Sequence, residues 1–531
     1  MIKKLLQLQR YRLLSHILWG KKGRHYIEKY LSSKAEMDQS QKSFPLKDSH
    51  TLRIAIAEGG GLGDAIMQTL YIKEIRKLFT GKIVIDFYCR VFPAFKNFPF
   101  IDNCFPYTDN HPSSNYDVYI VSRRFYIILA CDEKKVKKFS KKFLLFCKWC
   151  KHLTDDILDG EYNDNLFSQY ALLFGKNRLE QANVYNILPI TRHTKTYCDL
   201  DEESFGILDE YGLTTTPYIT VSRSVDCKYN GNHPKLWPLD YYEDLVGHLK
   251  KRFPYIKFVQ LGAEFGYGRI NGIDLNLVGK TSLNQVKILL KYALLHIDGE
   301  GGLVHLRHIL NGVSAVFFWP TNPKIFGYEN NLNFRSAGCV NPCEWVTRTW
   351  TNGCLRGLKK PLCMQNLTPD AVFTSIVSYL EKIKLYIYES QYEQTLSKIE
   401  KSTIAFLGMP DQTDIQWAKG NSLIIYTPDL TLRSNCDLFH QGQKKDFFAE
   451  YASPYNIPSE NNYYDMVYIN QLEQCRHPFY ALQEALRILK PGCYLLVEIK
   501  TQLILDAVNK ICTNKQDLKY GLLKITKKDY K

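Results

Sequence analysis

Short apolar runs that end in glycine turns and give way to helical periodicity recur along this chain, and that alternation constrains its fold more than any other feature. In the first instance Leu52 to Ala57 reads as a strand and Glu58-Gly59-Gly60-Gly61-Leu62-Gly63-Asp64 as a turn. Ala65 to Phe79 then reads as a helix with Met67, Tyr71, Ile75 and Leu78 on one face, and Lys82 to Tyr88 as the next strand. From Pro217 the pattern restarts. Strands are expected at Tyr218 to Ser222, Ile256 to Leu261, Leu275 to Val278, Leu294 to Asp298 and Ser314 to Trp319, with helices near Leu239 to Phe253, Ser282 to Tyr292 and Leu303 to Asn311. Such alternation indicates parallel sheets covered by helices, and two such domains in tandem generally leave a ligand cleft at the carboxyl ends of their strands.

The 531 residues correspond to three or four domains at about 150 residues each. We divide them into a basic helical extension over 1–50, a first α/β domain over 51–205, a second over 206–390 and a third segment over 402–531. Lys134 to Lys151 reads as one Lys-rich helix, and Asp370 to about Tyr388 as a helix leading into a polar stretch. With 69 Lys and Arg against 54 Asp and Glu, the net charge of +15 favours anionic partners, while 45% apolar residues exclude extended disorder. Gln7, Gln9, Arg10 and Arg12 interrupt the first apolar stretch, so it reads as a basic amphipathic helix rather than a signal peptide. No long uncharged apolar segment follows, and fifteen scattered cysteines suit a reducing compartment, so a cytoplasmic location is expected, with at most peripheral membrane contact.

Three clusters carry chemistry. In the first turn, Asp64 at a helix start suits a base or hydroxyl binder. A dinucleotide fingerprint with Asp86 on the ribose, and a plain turn, are the alternatives. In Asp298-Gly299-Glu300-Gly301-Gly302-Leu303-Val304-His305-Leu306, the amides of Gly301 and Gly302 suit phosphate oxygens and Glu300 suits sugar hydroxyls; a bland turn with His305 satisfied inside the fold is the alternative. Upstream, Lys235 in His233-Pro-Lys-Leu-Trp-Pro238 suits a phosphate or is a surface charge. Finally Cys339, Cys343, Cys354 and Cys363 fall close enough in sequence for a tetrahedral metal knot, or are reduced buried thiols.

In order, Gly61-Leu62-Gly63-Asp64, Lys235-Leu236-Trp237-Pro238, Gly279-Lys280-Thr281-Ser282-Leu283 and Glu300-Gly301-Gly302-Leu303-Val304-His305-Leu306 resemble the motifs of the glycosyltransferase family 9 heptosyltransferases over about residues 50–385. The resemblance implies an α/β GT-B fold of two Rossmann-like domains facing a cleft, and inverting transfer of heptose from ADP-heptose to a lipopolysaccharide-type glycan or a protein hydroxyl. It makes Asp64 the base and shapes the acceptor loop with Gly61 and Gly63. The donor falls to Lys235, Gly262, Glu264, Lys280, Thr281, Glu300, Gly301, Gly302 and His305. Where the family has Asp-Ser/Thr-Gly this chain has Glu300-Gly301-Gly302, which leaves the donor sugar open. The cysteine segment looks like that of autotransporter heptosyltransferases, whose finger holds iron; spacing alone would suggest zinc. A homo-oligomer is compatible with the resemblance, and nucleic acid is not an expected partner.

The third segment, from Asn462 through Leu489-Lys-Pro-Gly492 to Val497, resembles the latter half of a class I methyltransferase. Its cofactor loop is reduced to Leu407-Gly408-Met409-Pro410-Asp411-Gln412, so S-adenosylmethionine is not expected and a degenerate, structural or acceptor-recognising module is. The rival readings are a methyltransferase fused to an inactive sugar-binding module, and a scaffold docking on anionic glycan.

Overall fold

The computed structural model describes residues 50–531 apart from 80, 96–97, 123–124, 155–167, 169–170, 224–233, 264–267, 337–338, 340–342, 345, 347–349, 384–385, 393–400, 409–420, 428–446, 513–521 and 530–531. The basic helix expected at the N-terminus lies outside the described residues. The chain forms two compact units, 1–194 and 195–531.

The first unit is built on β1 (Leu52–Glu58), α1 (Leu62–Arg76), β2 (Ile83–Cys89), β3 (Asn103–Pro106), β4 (Val118–Ser122) and β5 (Tyr126–Cys131). The sheet order is β3-β2-β1-β4-β5, parallel except for β5, which runs antiparallel to β4 at the edge. Every residue of β1 is buried, as a central strand covered on both faces requires. The Lys-rich run is two helices rather than the single one expected: α2 (Glu133–Phe139) and α3 (Lys141–His152). Ser140 separates them. Its backbone is extended (φ −157°, ψ 112°) and its hydroxyl accepts the amide of Phe143, which starts a new helix instead of continuing the old.

The second unit holds two sheets. Six parallel strands lie in the order β11-β10-β9-β6-β7-β8, namely β6 (Tyr218–Ser222), β7 (Lys257–Leu261), β8 (Leu275–Asn276), β9 (Leu295–Gly299), β10 (Ser314–Phe318) and β11 (Leu332–Arg335). The helices α4 (Leu239–Arg252), α5 (Leu283–Tyr292), α6 (Gly302–Ile309) and α7 (Pro369–Lys382) accompany them. The helix expected to reach Tyr388 stops at Lys382, and β12 (Tyr386–Tyr392) follows as a strand of the next sheet.

That next sheet has seven strands. β13 (Thr403–Leu407), β14 (Ser422–Thr427), β15 (Phe447–Tyr451), β16 (Tyr464–Ile469), β17 (Leu489–Glu498) and β18 (Leu522–Asp529) join β12 in the order β12-β18-β17-β16-β13-β14-β15. β18 is antiparallel to both of its neighbours, and the remaining pairs are parallel. The sheet therefore draws in residues before 402, because β12 fills the edge beside β18. Helices α8 (Pro478–Ile488) and α9 (Gln502–Ile511) belong to it. Among the described residues no helix is long and apolar enough to cross a membrane.

Candidate active site

In the first unit the functional side chains hang from the turn between β1 and α1. Gly61 caps α1 with extended backbone (φ −84°, ψ −169°), a conformation open to any residue, and a Cβ there would meet nothing within 4 Å. Gly60 is different, since a Cβ on it would come 2.4 Å from Asp64 Oδ2. That oxygen accepts the Gly61 amide at 3.2 Å, and Oδ1 accepts Arg178 Nη2 at 2.8 Å. The Arg178 side chain is 5% exposed and that of Asp64 42%. A buried guanidinium and a helix-start amide thus fix a carboxylate that still faces solvent. Gly63 is buried in the first turn of α1.

Beside it, Glu58 ends β1 and is buried. Its oxygens accept the Gly60 amide at 2.8 Å and the Ser122 hydroxyl at 2.9 Å. Burial, joined by the charge of Asp64 and opposed by Arg178 and the two hydrogen bonds, pushes its pKa up to about 8. Asp86 serves the core instead: Asn103 and Tyr116 donate to it at 2.8 Å and Arg53 lies at 3.5 Å, so the dinucleotide reading loses its ribose-binding acid.

In the second unit Trp237 anchors the segment that carries Lys235. Its indole is fully buried, packs on Phe317 at 4.3 Å and donates to the Leu367 carbonyl at 2.9 Å. Lys235 Nζ reaches Glu300 Oε2 at 2.5 Å and Glu344 Oε1 at 3.6 Å, and lies 5.8 Å from the Trp350 ring centroid. Glu300 also meets His305 Nε2 at 3.5 Å, while His305 Nδ1 pairs with the Tyr328 hydroxyl at 2.7 Å. Burial alone would raise the Glu300 pKa, but Lys235 and His305 outweigh it and hold the carboxyl well below its usual range.

The glycines of this loop divide by role. A Cβ at Gly299 would sit 3.0 Å from the Lys235 carbonyl and 3.2 Å from the Trp319 ring, so packing demands glycine there. Gly301 caps α6 with φ −173°, again ordinary extended backbone, and a Cβ on it would meet nothing closer than the Gly299 carbonyl at 3.8 Å. Gly302 opens the helix. Neither conformation nor packing explains Gly61 or Gly301, the two helix caps beside the two carboxylates.

Gly262, with φ +156°, accepts the Gly279 amide at 2.9 Å and so ties its loop to the one carrying Lys280 and Thr281. Lys280 is exposed, Thr281 half-buried, and Glu264 lies outside the described residues. Cys339, Cys343, Cys354 and Cys363 line one cavity with Trp319, Leu355, Leu358 and Pro361, all four as free thiols. Burial and the neighbouring thiols push Cys343 up to about 11. By their chemistry, four thiols as a donor set suit a soft metal. Among the described residues, however, no three His, Cys, Asp or Glu side chains converge as ligands. In the third sheet Gly408, φ +129°, passes 2.4 Å from Asn470 Oδ1 when given a Cβ, and Met409 to Gln412 lie outside the described residues.

Three of these side chains escape sequence reasoning in different ways. Glu58 carried a signal, an acid closing a strand that is apolar apart from Arg53. Arg178 lies 114 residues from Asp64 in a stretch without periodicity, and Glu344 was hidden among the cysteines.

No protein-family model matches the chain, and no curated protein is similar to it. Among solved structures, Escherichia coli ADP-heptose lipopolysaccharide heptosyltransferase II matches with 14% identity and a TM-score of 0.43, covering 62% of this chain and 99% of that one. The dodecameric iron-containing heptosyltransferase TibC, in complex with ADP-D-β-D-heptose, matches with 13% identity and a TM-score of 0.43 over 62% and 77%. Over 62% of its length the chain is similar to heptosyltransferases. A complex of the Haloferax volcanii Trm112 methyltransferase activator with a methyltransferase matches 18% of this chain and 45% of that one, at 18% identity and a TM-score of 0.17.

Proposed function

We propose that the chain is an inverting glycosyltransferase that moves a sugar, heptose from ADP-heptose, onto a hydroxyl of a glycan or protein. The observation that carries this reading is the pair of helix caps, Gly61 and Gly301, that packing leaves unexplained beside Asp64 and Glu300. The open space at both caps suits close approach of a ligand, and the amides at the start of α6 suit anionic oxygens. In this reading Asp64 takes the proton of the acceptor hydroxyl as its oxygen attacks the anomeric carbon, and the bond to the diphosphate breaks. Lys235 and the Gly301 and Gly302 amides take up the negative charge that the departing diphosphate gains. Glu300 keeps Lys235 extended until then and, with His305, holds hydroxyls of the donor sugar. Transfer to the glycan or protein needs no metal in these steps.

Calorimetric titration with ADP-heptose, GDP-mannose, UDP-glucose and S-adenosylmethionine in parallel tests the donor. Saturable binding of ADP-heptose alone is the expected result. Preference for another nucleotide sugar would discard heptose, and binding of S-adenosylmethionine alone would overturn the reading in favour of methyl transfer by the third sheet.

The four cysteines would hold iron or zinc as a structural cross-link of an otherwise irregular segment. Through Glu344 and Trp350 that segment touches Lys235, so its order bears on the donor site. About one equivalent of metal on elemental analysis, lost in Cys343→Ser, is the expected outcome; a metal-free purified chain would end the assignment.

A further inference from the structure

The outward face of α3 is not the polar surface that a solvated helix shows. Phe143, Leu144, Phe146, Cys147 and Cys150 fill its inner side. The outer side carries Lys141, Lys142, Lys148 and Lys151 together with Leu145, which is 48% exposed, and Trp149, 36% exposed. The apolar strip continues beyond the helix: Trp149 packs on Tyr185 at 4.5 Å, and Tyr185 lies 6.5 Å from Phe174, which is 49% exposed. Leu173 beside it is also exposed. Over 132–152, eight lysines against Asp132 and Glu133 leave six net positive charges. Lys135 is turned inward onto Asp117 at 2.8 Å, and Lys148 pairs with Glu133 at 3.0 Å on the surface.

We propose that this face of the first unit docks on an anionic lipid bilayer, the apolar strip entering the headgroup layer and the lysines meeting lipid phosphates. A Leu and a Trp set among lysines on one outward helix face is the pattern of an interfacial helix, in which a flat, amphipathic Trp sits at headgroup depth. An isolated exposed Leu would mean nothing; a connected strip of Leu145, Trp149, Tyr185 and Phe174 rimmed by cations does. Charge selects the occupant. A second copy meeting this face symmetrically would set lysines against lysines, whereas an anionic leaflet complements them. If sugar transfer is the reaction, docking puts the acceptor in the lipid-anchored class; that corollary rests on the proposed function, while lipid binding does not.

The test is co-sedimentation of the full chain, without any sugar donor, with vesicles of phosphatidylcholine alone and of phosphatidylcholine with about one third phosphatidylglycerol. Binding only to the anionic vesicles, weakened in high salt, is expected. The pair Lys141→Glu and Lys142→Glu should reduce it by roughly tenfold or more. Trp149→Ser, with thermal melting to check its fold, should weaken binding while leaving the salt dependence in place. Since the basic N-terminal extension travels with the full chain, binding that survives both variants unchanged would overturn the proposal, as would equal binding to neutral vesicles or none to either. A dimer in solution that Trp149→Ser dissociates would make the face a contact between copies and overturn it too.

Discussion

Asp64→Ala is expected to lower sugar transfer by roughly 10²–10⁴-fold, the range that a positioned general base contributes, while donor binding measured by calorimetry stays unchanged. The substitution removes the acceptor of both the Gly61 amide and Arg178 and leaves the residues of the Lys235–Glu300–His305 cluster in place. An unchanged rate would remove Asp64 from the mechanism. Glu58 adds a pH signature. Its pKa in the folded protein is raised to about 8 from 4.5, so between those values the folded chain keeps a proton that the unfolded chain has released. Its contribution to stability is therefore present below pH 4.5 and is lost as pH rises through about 8. Above that point a second carboxylate charge appears beside Asp64, and Arg178 must serve both. Transfer should fall on this alkaline limb, and Glu58→Gln, which copies the protonated form, should flatten the limb while keeping most of the rate at pH 7. If Glu58 only packs the turn, the variant will shift the melting temperature and leave the limb where it was.

The elements that local chemistry specifies were legible in the sequence. The apolar run of β1, the glycines that free the chain to turn and the periodicity of α1 act within one stretch of chain, and so do their counterparts from β9 to α6. Errors arose where one residue outvotes a pattern. The hydroxyl of Ser140 stops a helix that composition alone would continue, and β12 is a strand because it finds β18 more than 130 residues later. Long-range pairing of that kind leaves no periodic trace near Tyr386. The site divides in the same way: Asp64 and Glu300 announce themselves beside glycines, whereas Arg178 reaches Asp64, and Glu344 reaches Lys235, only through the fold.

Glu484→Gln should be the most destabilising conservative change in the second unit, and its effect should extend to the donor loop. Lys291, at the end of α5, and Glu484, on α8, meet at 2.8 Å with side chains 6% and 2% exposed. Arg487 gives Glu484 two more bonds, at 2.9 and 2.8 Å, and the Ile457 amide a fourth at 2.7 Å. Two cations share one carboxylate. Accordingly, despite burial, Arg487 and Lys291 hold Glu484 down at about 2, while burial and the repulsion of Arg487 bring Lys291 down to about 8 despite Glu484. The signs follow. Glu484 contributes stability that is present above pH 4.5 and lost as pH falls towards 2. Lys291 acts in the opposite sense, since between pH 8 and 10.5 the unfolded chain binds the proton that the folded one has released, and stability rises with pH. Glutamine at 484 leaves Lys291 and the partly buried Arg487 without their shared carboxylate, at a cost of about 3 kcal/mol, and the thermal midpoint should fall by several degrees. Lys291→Met leaves Glu484 with Arg487 and removes a buried charge, so its effect should be much smaller; equal or reversed effects would refute this division of roles. The same junction holds the far end of α6, where Asn456 donates to the Ile309 carbonyl at 3.0 Å and Lys291 to that of Leu310 at 3.2 Å. The near end of that short helix presents Gly301 and Gly302. Loosening the junction should therefore weaken donor binding in Glu484→Gln well below its melting temperature. Unchanged donor affinity there would confine the third sheet to a role in stability alone.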